Sequence, residues 1–261
     1  MKIKTLFEKR AVIIEDLDSE VGKGRGLVVS DMHIGFEEKF KSSGINIQSN
    51  VEKMQRELEG LIVENEVTNL IIAGDVKSGT DRIFQSEWEN VPRFLAGLAK
   101  KCKVTIVPGN HDGGLSNLVP ESVQITDSNG IVLQDTLVIH GHTKPLIKFK
   151  DCNRVIMGHI HPIYQKKGSP LSGIPVWVFL KIEKKFLFKE IIPENDDSLA
   201  EVIVMPSFNL DLSVTGYFNE EAKAERRLSP IVKELRSASE AIITTLNAEV
   251  IGDVSFLPNV L

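Results

Sequence analysis

The chain has 261 residues, 42 % of them hydrophobic and 26 % charged, which suits one large domain with a substantial core and argues against a disordered or low-complexity protein. A net charge of −5 excludes a surface that is basic throughout. The apolar runs are strand-sized, too short for a membrane span. The N-terminal stretch "MKIKTLFEKRAVIIEDLD" turns acidic before any leader-like apolar core develops. Cys102 and Cys152 match no metal or redox spacing, so the expectation is two reduced thiols in a cytoplasmic protein.

In chain order, "GLVVSD" (26–31) reads as a buried strand. "NVEKMQRELEGLIVEN" (50–65) reads as a helix with Val51, Met54, Leu58, Leu61 and Ile62 on one stripe. "NLIIAGD" (69–75) is a second strand. A helix over 84–101 carries Trp88, Val91, Leu95 and Leu98, and "KVTIVPGN" (103–110) is a third strand. This β-α-β-α-β order implies parallel strands. The second half is strand-rich: 130–142 as two strands around a tight connection, then 154–162, 174–182, 185–192 and 201–208. A polar loop over 193–200, a helix over about 219–240 broken near Ser229-Pro230, and a hairpin-like pair over 248–258 complete the chain. The expected organisation is one domain over 1–261, its core motifs within 26–162, with a C-terminal strand and helix extension from about 200 to 261 packed onto it.

Polar residues gather at the strand ends. The first three strands end in Asp31-Met32-His33, in Gly74-Asp75 and in Gly109-Asn110-His111-Asp112. Later strands end in His140-Gly141-His142 and in His159-Ile160-His161. The carboxyl ends of strands in open α/β sheets are where ligands bind. All six histidines of the chain lie in these clusters, which scattered core or surface histidines would not do. Singly the elements are weak: Asp-x-His or Gly-Asp is usually a cap or a turn. Together and in this order they point to a metal site.

The ordered set "DMH", "GD", "GNHD", "HGH" and "GHIH" resembles the signature of the calcineurin-like metallophosphoesterase superfamily and spans Asp31 to His161. The later "VIVMPSFN", with a helical stretch near a Ser-Pro, is similar to a subfamily of small stand-alone phosphoesterases of the DNA ligase- or helicase-associated type. One departure is Ser78, where many such relatives carry histidine. The resemblance implies an α/β fold, a four-layer α/β/β/α sandwich of two mixed sheets flanked by helices. It implies two divalent transition-metal ions, Mn first, with Fe, Zn, Co or Ni as alternatives. By motif, Asp31, His33, Asp75 and His161 would hold one ion and Asp75, Asn110, His140 and His159 the other, Asp75 bridging. His111 would protonate the leaving oxygen, with Asp112 orienting its imidazole. His142 and Lys144 are candidate substrate contacts. The resemblance also leaves room for a homodimer.

Such a centre suits phosphate esters, because two cations about 3.5–4 Å apart neutralise the phosphate oxygens and lower the pKa of a bound water, which then attacks as hydroxide. No Ser or Cys nucleophile is needed. Imidazole and carboxylate ligands together favour transition metals over Ca or Mg. Between Gly141 and Lys189 ten Lys and Arg face two acids, a local balance of +8. That segment is either a solvated face or a wall for a polyanion such as DNA, RNA or a nucleotide. The expected activity is a phosphodiesterase on nucleotides or nucleic-acid ends. The alternatives are a phosphomonoesterase or cyclic-nucleotide phosphodiesterase, and a non-catalytic metal-binding scaffold for partner proteins. A metallo-β-lactamase-like hydrolase would need an H-x-H-x-D-H cluster, which the sequence lacks.

Overall fold

The computed structural model describes residues 1–41, 44–166, 168–188, 197–212 and 230–261. Two mixed sheets form the frame. The first runs in the order β1 (Lys2–Thr5), β2 (Val12–Ser19), β3 (Gly22–Val29), β4 (Asn69–Ala73), β5 (Lys103–Val107), β6 (Val123–Ile125). Its first three strands are antiparallel, and β3 to β6 are parallel. Helices α2 (Val51–Glu64) and α3 (Gln85–Ala99) make the crossovers, and a one-turn helix α1 (Glu38–Lys41) follows the first strand-end loop. The second sheet is built from β7 (Ile131–Leu133), β8 (Thr136–Ile139), β9 (Arg154–Met157), β10 (Val176–Glu183), β11 (Leu199–Val204), β12 (Glu240–Thr245) and β13 (Val250–Gly252). Their spatial order is β13-β12-β10-β11-β9-β8-β7. The short helices α4 (Lys184–Leu187) and α5 (Pro230–Leu235) and a 3-10 turn over Val254–Asn259 accompany it.

Side-chain alternation along the strands accounts for the layering. Leu70 and Ile72 of β4 pack outward with Leu27, Val29, Val104 and Ile106 against α2 and α3, while Ile71 and Ala73 point inward. In the second sheet Val138 and Ile156 point inward to meet them, with Trp177, and Leu137, Ile139, Val155 and Met157 point outward onto α4 and α5. Three apolar layers separate four structural ones, the expected α/β/β/α sandwich. Strands buried on both faces must be apolar at every position, which is why they read as continuous runs.

Several elements differ from expectation. Trp88 is about half exposed, and Phe94 takes the buried place on α3. Residues 184–187 form α4 instead of a strand, with Leu187 and Phe188 buried against the second sheet; 189–196, which include the first half of the expected polar loop, lie outside the described residues, and Leu199 and Ala200 of that loop begin β11. The long C-terminal helix is Pro230–Leu235 where described, 219–229 lying outside the described residues, and the chain is already extended again at Glu240. The 248–258 pair is a single strand, β13, paired back onto β12 and followed by a 3-10 turn. Most consequential, β11 lies between β9 and β10 and β12 pairs with β10, so the described strands after about 200 are members of the second sheet and not an extension laid upon it.

Candidate metal centre

The strand-end loops hold one another by backbone bonds that continue the parallel pairing. Asp31 N–H donates to Gly74 O, His33 N–H to Asp75 O and Ile34 N–H to Val76 O, at 2.9–3.0 Å. Across to the second sheet, Gly158 N–H donates to His140 O, and His159 N–H to the Asp31 carboxylate at 3.1 Å. Asp31, His33, Asp75, His159 and His161 all take positive φ, between 43° and 69°. Such left-handed turns swing consecutive side chains to one side, and in residues other than glycine they cluster at functional sites. Glycines give the ligands room: a Cβ at Gly74 would lie 2.4 Å from His140 Nδ1, at Gly109 2.2 Å from Asp75 Oδ1, and at Gly158 2.4 Å from Asp31 Oδ2.

The side chains converge. Asp31, His33 and His161 offer ligand atoms within 4.8 Å of one another, as do Asp75, His140 and His159, and also His33, Asp75 and His111. Asp75 is central, its Oδ2 lying 3.3 Å from His33 Nε2 and 3.2 Å from His140 Nε2. Asn110 Oδ1 lies 3.1 Å from His140 Nε2. Asp31, His33, Asp75 and His140 form a buried inner wall; His159, His161 and the exposed Asn110 form the rim. All seven expected ligands are therefore at one place.

Electrostatics are tightly set. Burial pushes both carboxyls up, but the imidazoles outweigh it: His161 and His140 hold Asp31 down to about 2, and His140 and His33 hold Asp75 well below the carboxylate range. Burial opposes the charge of His140, yet Asp75, Asp31 and the Ala73 carbonyl raise it to about 9. Burial, with the adjacent His140 charge, lowers His159 to about 3. Burial also lowers His33, His111 and His142.

Two expectations about side-chain partners are corrected. Asp112 does not orient the His111 ring. Its Oδ1 accepts from Val76 N–H and Lys77 N–H and its Oδ2 from Gly109 N–H, so it braces the two loops that carry Asp75 and Asn110. Burial and the nearby Asp75 charge raise it to about 6. The His111 ring is instead held at Nδ1 by the Ser78 carbonyl, at 2.7 Å. Lys144, expected to face substrate, has a protein partner: its ammonium pairs with Glu234 at 2.9 Å. His142 stands beside the centre, its ring 5.4 Å from that of His140 and its Nδ1 buried without a partner.

The sequence model of the calcineurin-like phosphoesterase family matches residues 25–174, more than half of the chain. The chain belongs to the calcineurin-like phosphoesterase family. Among solved structures, the Pseudomonas putida nuclease MPE is similar at 21 % identity, over 80 % of this chain and 86 % of that one, with a TM-score of 0.50. Yfce, a phosphoesterase from E. coli, matches at 14 % identity over 88 % and 98 %, with a TM-score of 0.38. No curated protein matches the chain. This phosphoesterase is accordingly a metal-dependent hydrolase with an α/β sandwich fold.

The residues present fit divalent ions. Both ring nitrogens of His33 and Nε2 of His161 are buried without a hydrogen-bond partner, although carboxylate oxygens stand 3.0–3.3 Å away. Unsatisfied buried donors and acceptors are costly, and a cation among them supplies the missing partner. Sequence reasoning missed three contributors to the phosphoesterase site. Ser78 acts through its carbonyl, which no side-chain motif reveals. Glu87, fully buried, accepts from Ser78, Gly79 and Phe84 N–H groups. Its position three residues into a helix was a readable capping signal. Asn209, in "VIVMPSFN", donates to the Met32 carbonyl.

Proposed function

We propose that this phosphoesterase is a phosphodiesterase acting on nucleotides or nucleic-acid ends through a dinuclear centre. Asp31, His33, Asp75 and His161 hold one divalent ion; Asp75, Asn110, His140 and His159 hold the other. Mn is the first choice for both, with Fe, Zn, Co and Ni as alternatives suited to the same donors. When bound, the ions supply charge neutralisation and an activated water. The carrying observation is the position of Asp75, with one oxygen facing ligands of both sets. His111 has Nδ1 engaged by Ser78, so Nε2 is the nitrogen left to protonate the leaving oxygen.

The diester preference rests on charge. Five of the eight described cations of the basic segment are engaged within the protein: Lys144 pairs with Glu234, Arg154 with Asp135 and Glu201, Lys181 with Glu240, Lys185 with Glu183, and Lys184 is buried on the Lys150 carbonyl. A diester carries one negative charge where a monoester carries up to two, and it makes the smaller demand on protein cations. The same engagement argues against a long polyanion lying along a basic wall, and for a substrate that engages at an end. Two separate free thiols, Cys102 half-buried and Cys152 buried, without metal or redox spacing, suit a reducing compartment such as the cytoplasm.

The test is cleavage of bis-p-nitrophenyl phosphate against p-nitrophenyl phosphate by metal-stripped protein reloaded with Mn²⁺. Faster diester cleavage is expected; faster monoester cleavage would reassign the enzyme as a phosphatase. His111→Ala is expected to lower kcat by roughly 10²–10⁴ while metal content stays unchanged.

A further inference from the structure

We infer that Glu87 is a positioning residue for His111, acting through the backbone: its carboxylate, the Ser78–Gly79 peptide group and the imidazole form one hydrogen-bonded line. The inference rests on the reading of His111 as the proton donor. Glu87 Oε1 accepts from Gly79 N–H at 2.6 Å and from Ser78 N–H at 2.8 Å. The carbonyl of that same Ser78–Gly79 peptide unit faces His111 Nδ1 at 2.7 Å. A carbonyl only accepts, so Nδ1 carries the hydrogen and Nε2 is left facing the centre. A negative group on the N–H end of a peptide strengthens the bond accepted at its C=O end. The peptide thus stands where a carboxylate would stand in a direct carboxylate–imidazole pair, the role the sequence suggested for Asp112.

A helix cap accounts for only part of this. The bond from Phe84 N–H to Glu87 Oε2, at 2.7 Å, is the capping one; Oε1 reaches away from the helix to the loop. The approach is built in. A Cβ at Gly35, which has φ +87°, would lie 2.7 Å from Glu87 Cγ, so the turn after His33 leaves the carboxylate its room. The arrangement also explains why serine serves at position 78: the working group there is a carbonyl that every residue has.

The measurement has two parts. Kinetics on bis-p-nitrophenyl phosphate compare wild type, Glu87→Gln, His111→Ala and the double variant. Glu87→Gln is expected to lower kcat about tenfold to a hundredfold, with bound metal unchanged. In the His111→Ala background it should add less than about twofold. Equal losses in both backgrounds, or loss of metal with Glu87→Gln, would make Glu87 a fold or metal residue and overturn the inference. The second part is nitrogen-15 NMR of the histidine rings in zinc-loaded protein, with the His111 signals identified by their absence in His111→Ala. Wild type should show Nδ1 protonated, and Glu87→Gln should shift the tautomer balance toward Nε2–H. A wild-type His111 with its hydrogen on Nε2, or a spectrum indifferent to Glu87→Gln, also sinks the inference. If His111→Ala keeps near-normal turnover, the catalytic reading of His111 fails, while the spectra still decide whether Glu87 sets its tautomer.

Discussion

At the residue scale, the centre is assembled against local preference. Among the described residues ten non-glycine residues have positive φ, and five of them are the expected ligands Asp31, His33, Asp75, His159 and His161. Each such backbone costs on the order of 1–3 kcal/mol, offset by the surrounding core and by whatever the ligands bind. The same crowding fixes a proton. His140 is raised to about 9 from an ordinary 6.5, burial opposing the shift and Asp75 and Asp31 prevailing. A raised folded-state value gives stability that is complete below 6.5 and lost as pH rises through 9. The metal-free protein should therefore lose stability across that window, by on the order of 3 kcal/mol. The loaded protein, whose His140 would be a neutral ligand, should not show this loss. Melting temperatures measured from pH 6.5 to 9.5, with and without metal, read this directly, with metal-free His140→Gln as the reference. Adding metal at pH 7.5 in weak buffer should also release a proton. Level metal-free melts that match those of the variant would mean that His140 is neutral.

At the element scale, the strap after β11 ties the two sheets. Within five residues Val204 sits in the outer layer of the second sheet, Met205 between the sheets and Phe208 in the outer layer of the first. Arg10, itself buried, donates to the Phe208 carbonyl and pairs with Glu57 at 2.7 Å. Asn209 donates to the Met32 carbonyl and accepts from Asn50, at 2.9 and 2.8 Å. Asn209→Ala would leave the Met32 carbonyl unpaired and loosen the turn between Asp31 and His33. Metal affinity, measured by chelator competition, should weaken about tenfold to a hundredfold, with a stability loss of about 1–3 kcal/mol. Unchanged affinity would mean that the turn holds itself. The strand-end ligands were legible because an apolar run that stops on Asp, Asn or His is a local pattern. The strap's contacts were not, since Asn209 and Met32 are far apart in sequence. Nor were β1 and β2, where charged and apolar residues mix on an edge hairpin, or β6, three residues long.

At the scale of the whole molecule, the sandwich matches part of a linear charge excess with acids from elsewhere in the chain. The layer order was implied by the family resemblance, since strands buried on both faces read as unbroken apolar runs, and the neighbours of a surface cation depend on topology. Arg154 begins β9 and meets Asp135 from the turn before β8 and Glu201 of β11, strands that flank it only because β11 inserts beside β9. Lys181 of β10 meets Glu240 across the antiparallel pair, in register. Lys144, Arg154 and Lys181 of the +8 segment are thereby matched by acids from other parts of the chain, and this bears on substrate length. A protein that neutralises six to ten phosphates loses about 10³–10⁵ in affinity between 50 and 200 mM salt. If the substrate is engaged at its end by the centre, only one or two phosphates are contacted. KM for a single-stranded oligonucleotide should then rise by less than about tenfold over that salt range, and lengthening the oligonucleotide should leave the dependence unchanged. A steep dependence that grows with length would show that Lys148, Lys150 and Lys166 line a track for the strand after all, and would replace the end-acting reading with that of an enzyme that grips nucleic acid along its length.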